Sequence, residues 1–352
     1  MHARGHSVRH FFEWDRSTYR LGGPHVLKHG MFKGTALAAA LALSAMVSGC
    51  GTPHATQNSL TSNSSAASAI SYPMTVKDDM GNTVTLKHQP MRIVSGSEGT
   101  DEILVSLVPR SRIALVTTMA SNPEYSNVVA QVKGIPAWSG DDPEQALAVH
   151  PDLVLEAGYV TKSVLDQLHQ AGVPMYAFSL NDFNSIADIE KNILTVGRLV
   201  GEPAKANALV ANMKQDITQI EGAVQGQPRP TVLDYGSYGY AAGRDTTVDD
   251  IIRDAGGVNV AHMLNGWQKI TDEQIVKWNP DVIIDSSDDA AFLKKLASDP
   301  ALQSVTAVRE HHLYAINSAD LSSVSQYVVR AVYDVAKVLH PTAHLKAPKV
   351  MA

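Results

Sequence analysis

The sequence predicts an α/β protein of two Rossmann-like lobes, each built on a mostly parallel sheet, joined by one long connecting helix. Three observations predict it. Short apolar runs alternate with helical segments, which calls for crossover connections and parallel strand pairing. A long stretch of helical period divides the chain into two such halves. The halves also share a gapless match: residues 144–156 (EQALAVHPDLVLE) line up with residues 273–285 (EQIVKWNPDVIID), keeping Glu-Gln, Pro-Asp and the apolar positions in register. At 352 residues and 44% hydrophobic content the chain exceeds the length, about 250–300 residues, at which one core usually divides into two.

The elements follow in order. Residues 74–86 alternate around Gly81-Asn82 and read as a hairpin. Strands are expected at 92–95, 113–116, 152–155 and 175–178, with helices over 101–108 and 162–171 among the segments between them. Ala206, Leu209, Val210, Met213, Ile217, Ile220 and Val224 recur at three- and four-residue steps. They define a connecting helix over 203–226, about 30 Å long, with proline near its start and glycine near its end. The second half repeats the grammar: strands at 231–234, 281–284 and 313–316, helices at 248–255 and 291–296, and a closing helix over 325–339.

The N-terminal fifty residues read as an address. Met31-Phe-Lys-Gly-Thr precedes an apolar run from Ala36 to Val47 and then Ser48-Gly49-Cys50. The run is shorter than the about 20 residues needed to span a bilayer, so a cleaved signal is expected. Met31 is the expected initiator, because Glu13, Asp15 and five histidines stand before it. Residues 51–71 are rich in Ser, Thr, Asn and Ala without apolar period, the composition of a flexible tether. The expected organisation is therefore extension and signal 1–49, tether 50–71, first lobe 72–202, connecting helix 203–226, second lobe 227–341 and tail 342–352.

Charge and motif content exclude several classes. The net charge is −6, and −10 beyond residue 49, where 23 Lys/Arg face 33 Asp/Glu. No broad basic field is available for nucleic acid. The single cysteine, Cys50, rules out an internal disulfide. No P-loop, Gly-x-Ser-x-Gly elbow or Gly-x-Gly-x-x-Gly turn follows a strand, so no enzyme is expected. No histidine pair has metal-motif spacing. His262-Met263 and Met119 offer axial ligands to a haem iron, with simple solvation as the alternative for His262.

Several motifs carry a family resemblance: Arg92-Ile-Val-Ser95 with Thr100-Asp-Glu-Ile-Leu104, Glu144 through Asp152, Ala255-Gly-Gly-Val-Asn-Val260, and Trp267 through Glu273 to Asp281. Over residues 74–340 the chain resembles the helix-linked (class III) periplasmic binding proteins, the receptors of iron-siderophore, haem and cobalamin ABC importers. The small residues before Cys50 resemble a lipobox, which implies a lipidated Cys50 and anchorage on the extracytoplasmic face of the membrane. The resemblance implies a monomer with no resident cofactor, carrying a metal chelate, a ferric siderophore first, to an ABC permease. It implies permease docking through Glu144 and Glu273; the same glutamates would also favour the first turns of their helices.

A ligand is expected between the lobes, over the carboxyl ends of both sheets. The loops there are 95–100, 117–124, 158–161, 235–244 and 318–326. The candidate ligand-binding residues are Glu98 and Met119 in the first lobe and Tyr235, Tyr238, Tyr240, Arg244 and Trp267 in the second. Aromatic faces and a guanidinium suit a bulky ligand with apolar edges and anionic oxygens. Packing of some tyrosines on the lobe surface, and pairing of Arg244 with Asp245 or Asp249, are the alternatives.

Overall fold

A computed structural model describes residues 70–157 and 160–351. The expected signal, Cys50, nearly all of the tether and Gly158-Tyr159 lie outside the described residues. An antiparallel hairpin opens the fold, β1 (Met74–Lys77) with β2 (Thr83–Leu86), turning at Gly81, whose φ is +89°. The sheet of the first lobe follows: β3 (Ile93–Ser95), β4 (Ile113–Thr117), β5 (Ala137–Trp138), β6 (Leu153–Ala157) and β7 (Met175–Phe178). Their order is β5-β4-β3-β6-β7, and every pair is parallel. Both faces are covered, so these strands are largely apolar and show no alternation, with Ser95, Thr117 and Glu156 as their buried polar residues.

The helices of this half are α1 (Glu98–Leu107), α2 (Val129–Val132), α3 (Pro143–Ala148), α4 (Lys162–Gln170) and α5 (Ile186–Leu199). Helix α1 begins three residues before its expected start. Ser97 caps it, accepting from Thr100 N while Thr100 bonds back to Ser97 N.

Helix α6 (Pro203–Val224) connects the halves. Ala206, Val210, Met213, Ile217, Ile220 and Val224 are buried along it, at the spacing the sequence shows. One apolar cluster runs from α5 through α6 into the second half. A fully buried aliphatic side chain contributes about 1.5–3 kcal/mol, so this stripe couples the two halves through a single core.

The second half contains β8 (Thr231–Asp234), β9 (Tyr240–Ala242), α7 (Thr247–Asp254), β10 (Val258–Asn259), β11 (Trp267–Lys269) and α8 (Asp272–Trp278). It continues with β12 (Val282–Ser286), α9 (Ala290–Ala297), α10 (Thr306–Arg309), β13 (Leu313–Ile316), α11 (Ser318–Leu321) and α12 (Val328–Leu339). Strands β10-β8-β12-β13 form a parallel sheet in that order. The segment 235–244, expected to be a flexible loop, instead contains β9, which pairs antiparallel with β11. Helix α12 starts three residues late, because Ser323, Ser325 and Gln326 bond across to α1.

The sequence match between the halves is a structural match. Each copy is a short helix, α3 or α8, leading into a central strand, β6 or β12. His150 and Asn279, aligned in the match, both turn the chain with positive φ, 48° and 46°. The aligned aspartates also do the same work. Asp152 accepts from Met91 N and Arg92 N, and Asp281 from Thr231 N and Oγ1, so each ties the neighbouring strand's start to its own.

Close approach of α5 and α6 depends on Gly197, where a Cβ would stand 2.2 Å from Ala206 Cβ. Gly197→Leu is expected to destabilise the fold by about 1–3 kcal/mol. Urea unfolding should show a lower midpoint with unchanged slope; an unchanged midpoint would contradict the packing.

Candidate functional site

Parallel sheets deliver their loops at the carboxyl ends of their strands, and there the two halves meet. One meeting point joins α1 and residues 124–127 to residues 318–330. Ser318 Oγ donates to Glu124 O at 2.6 Å and Asn127 Nδ2 to Ala319 O at 2.9 Å. Arg330 donates to Asn127 Oδ1 at 2.8 Å. Glu102 is the centre of this contact. Its Oε1 accepts from Asn127 N, and its Oε2 from the hydroxyls of Ser323 and Ser325, while Gln326 Nε2 donates to its carbonyl. Gly99 permits the approach, since a Cβ there would lie 2.6 Å from Val324 Cγ2.

A second meeting point sets the start of α5 against the start of α7. Ile186 N donates to Asp250 Oδ2 at 2.9 Å, so α7 caps α5, and Thr247 Oγ1 donates to Phe183 O at 2.8 Å. An open groove of about 520 Å³ runs over the middle of α6 here, lined by Ile186, Glu190, Lys214, Ile217, Asp250 and Arg253 among others. Its cations are already committed, Lys214 to Glu190 and Arg253 to Asp250 and Asp254. It therefore makes a poorer ligand site than the strand ends.

The candidate residues of the second lobe gather on the β9–β11 pair. Trp267 is paired with Ala242 and is 38% exposed; Tyr238, in the preceding turn, is 47% exposed. Tyr240 opposes Lys269, whose Nζ stands 5.9 Å from the ring centre. Arg244 follows β9 and lies 3.9 Å from Asp245, half exposed. Tyr235 stands apart from this group. It is buried against Phe292, ring centres 5.7 Å apart, and presents no open face.

In the first lobe, Glu98 opens α1 beside Glu102. Its Oε1 is covered and lacks a hydrogen-bond partner, and burial, then the neighbouring Glu102, holds its carboxyl well above the usual range. Met119 is half-buried in the turn after β4. These two share a lobe with the contacts to 318–330, while Tyr238, Tyr240, Arg244 and Trp267 gather at the β9–β11 pair. Glu144 and Glu273 are both exposed and both second in their helices, after caps Asp142 and Thr271. Bonding to Thr271 and to its own backbone N–H lowers the Glu273 carboxyl below its ordinary value. His262 sits beside the β9–β11 pair, its Nδ1 2.9 Å from Asp249 Oδ2, and Asn259 holds the same carboxylate. Neighbouring Met263 is 67% exposed.

The strand ends are acidic, which sequence reading had not anticipated. Asp101 is buried under Thr117, whose N and Oγ1 donate to it, and burial raises it to about 7. Asp234 ends β8 and Asp285 is the last residue but one of β12, with Asp288 and Asp289 just beyond. Burial first, then Asp234, raises Asp285 to about 8. A signal for these groups was present: Glu156 and Asp285 close the two copies of the match. Glu102 lies inside the Thr100–Leu104 motif, between Asp101 and Ile103.

This geometry agrees with comparisons to known proteins. Residues 93–319 match the model of the family described as periplasmic binding protein. The chain belongs to that family. Periplasmic binding proteins of ABC transporters capture small molecules for a membrane permease and catalyse no reaction, and this chain is such a substrate-binding component. It is 27% identical over 331 residues to an uncharacterized ABC transporter substrate-binding lipoprotein, YvrC, of Bacillus subtilis, covering 88% of this chain and 98% of that protein. It is 27% identical over 284 residues to a cobalamin-binding protein of Halobacterium salinarum, covering 78% and 76% of the two chains. Among solved structures, the periplasmic haem-binding protein RhuT of Roseiflexus superposes with a TM-score of 0.62 at 23% identity, covering 71% and 98%. Among the described residues no helix is long and apolar enough to cross a membrane.

Glu102 is the periplasmic binding protein's main polar tie between lobes. Ser323 and Ser325 can bond to each other, so Glu102→Ala would strand one of their hydroxyls and the Asn127 amide, each costing roughly 1–3 kcal/mol. A loss of about 3 kcal/mol in denaturant stability is expected, and a loss under about 0.5 kcal/mol, the scale of a surface change, would contradict the role.

Proposed function

We propose that this receptor carries a corrinoid of the cobalamin type, is held to the membrane through a lipidated Cys50, and meets its permease through Glu144 and Glu273. The observation that carries the cargo reading is the second lobe's surface. Tyr238, Trp267 and Met263 expose apolar faces along the β9–β11 edge, above strand ends lined with carboxyls. Flat apolar faces suit the rim of a wide macrocycle. A corrinoid presents mostly amides, which both donate and accept and so can meet carboxyls held in the neutral form. The printed names of the Halobacterium protein and of Yersinia relatives, cobalamin-binding and vitamin B12-binding, support the same choice over the ferric siderophore that the sequence led us to expect.

For the anchor, support comes from the lipobox-like run before Cys50 and from the name of YvrC as a lipoprotein. For the docking residues it comes from their equivalence: same helix position, same repeat position, both exposed. Exposed charges of this kind steer and orient a partner more than they bind it.

Calorimetric titration of the chain with cyanocobalamin, ferric hydroxamate, ferric catecholate and haem tests the cargo. Saturable binding of cyanocobalamin is expected, weakened about tenfold by Trp267→Ala, the scale of one aromatic contact. Binding of a ferric chelate or haem with no response to cyanocobalamin would overturn the reading. For docking, the double change Glu144→Lys and Glu273→Lys should abolish cellular uptake and leave cargo affinity unchanged. Normal uptake by that double variant would refute the assignment.

A further inference from the structure

We propose that Glu156 and Asp285 are a matched pair of positioning residues, each working as an un-ionised carboxylic acid that seats the glycine loop of its own lobe across the carboxyl end of the sheet. The proposal concerns the floor of the cleft and does not depend on which cargo lies there.

The two residues occupy the last position of the gapless match, at or near the ends of β6 and β12. Each of these strands is central, β6 between β3 and β7, and β12 between β8 and β13. Glu156 is fully buried and Asp285 is 5% exposed. Each gives one oxygen to the next backbone amide: Ala157 N donates to Glu156 Oε1 at 3.1 Å, and Ser286 N to Asp285 Oδ1 at 2.8 Å. Each has a second oxygen, Glu156 Oε2 and Asp285 Oδ2, that is buried without a hydrogen-bond partner.

A glycine lies on each carboxyl. Gly96 follows β3, and a Cβ there would stand 2.3 Å from Glu156 Oε2; Gly236 follows β8, and a Cβ there would stand 2.8 Å from Asp285 Oδ1. A Cβ at either point would collide with the buried carboxyl, so the backbone at Gly96 and at Gly236 lies directly against the acids. These loops follow strands β3 and β8 on the side where the lobes meet. The same arrangement, reached from both halves of an internal repeat, is evidence of a device and not of one crowded corner.

Charge decides the protonation state. The charged groups acting on Glu156 and Asp285 are themselves carboxyls: Asp101 on α1 for Glu156, and Asp234 on β8 and Asp289 after β12 for Asp285. A buried carboxylate with a bare oxygen and only acidic neighbours would be costly, so the neutral acid is the seated form. Burial accordingly pushes the Glu156 carboxyl far up and Asp285 to about 8.

The sign of the pH dependence follows by linkage. With the loop lifted, water reaches the carboxyl and its pKa returns toward the ordinary range near 4. With the loop seated it is raised. Seating is therefore complete below the ordinary carboxylate range and weakens by up to about tenfold per pH unit above it. For Asp285 the loss ends near pH 8, the seated value. The floors of both lobes would thus be firm at acid pH and looser at neutral pH.

Hydrogen exchange on the cargo-free chain tests this without reference to any ligand. Protection of amides 95–100 and 235–239, corrected for intrinsic exchange, would be followed from about pH 5 to about pH 8. Protection of both loops should fall steeply, by up to about tenfold per unit. Glu156→Gln should flatten the profile of the first loop only, and Asp285→Asn that of the second only. A purely structural role would shift protection equally at every pH and leave the slopes alone. Flat wild-type profiles, or slopes unchanged in the variants, would overturn the proposal. Should one variant fail to fold, the other loop and the wild-type profile still decide it.

Discussion

The buried stripe of α6 is the constraint on which the rest of this receptor depends. Ala206, Val210, Met213, Ile217, Ile220 and Val224 face one cluster that includes α5 on one side and α7 and α12 on the other. Because the lobes share that core, they cannot separate without exposing apolar surface to water. Every feature at the strand ends is therefore held at a set distance from its counterpart. The polar contacts at Glu102, and the Asp250 cap on α5, add direction to a join that burial alone would leave sliding.

On this frame the internal repeat distributes chemistry in pairs. The aligned helices place Glu144 and Glu273 outward at equivalent points, while the aligned strands end inward in Glu156 and Asp285. Carboxyls outside are solvated and suited to guiding a partner; carboxyls inside are forced toward the neutral acid by burial and by nearby carboxyls of their own lobes. One sequence element thus yields a charged outer face and an uncharged inner floor. The second lobe departs from the pattern in the β9–β11 pair, which gives it an exposed aromatic edge.

Much of this was legible in the sequence for definite reasons. The stripe on α6 recurs at helical spacing because one face alone is buried, and the sheet strands read as apolar runs because both their faces are. The β9–β11 pair was not legible: Trp267, Gln268 and Lys269 are all exposed, so no burial period marks the strand. The start of α1 was missed because its cap is a Ser97–Thr100 pair lacking the acidic third residue that advertises a capping box. The start of α12 was missed because its serines are spent on Glu102, 221 and 223 positions away in the chain. Tyr235 looked like its neighbours Tyr238 and Tyr240 in sequence, and only the packing of Phe292 against it tells them apart. The acids at the strand ends were visible as residue types, but their covering depends on glycines from adjacent strands, which no local pattern reveals.

The measurement that bears most directly on the account is a crystal structure of the chain grown with cyanocobalamin. The macrocycle should lie between the lobes, with its rim against Tyr238 and Trp267 and its underside over loops 96–99 and 236–239. A corrinoid bound on the α5–α6–α7 groove, or anywhere away from both strand ends, would contradict it.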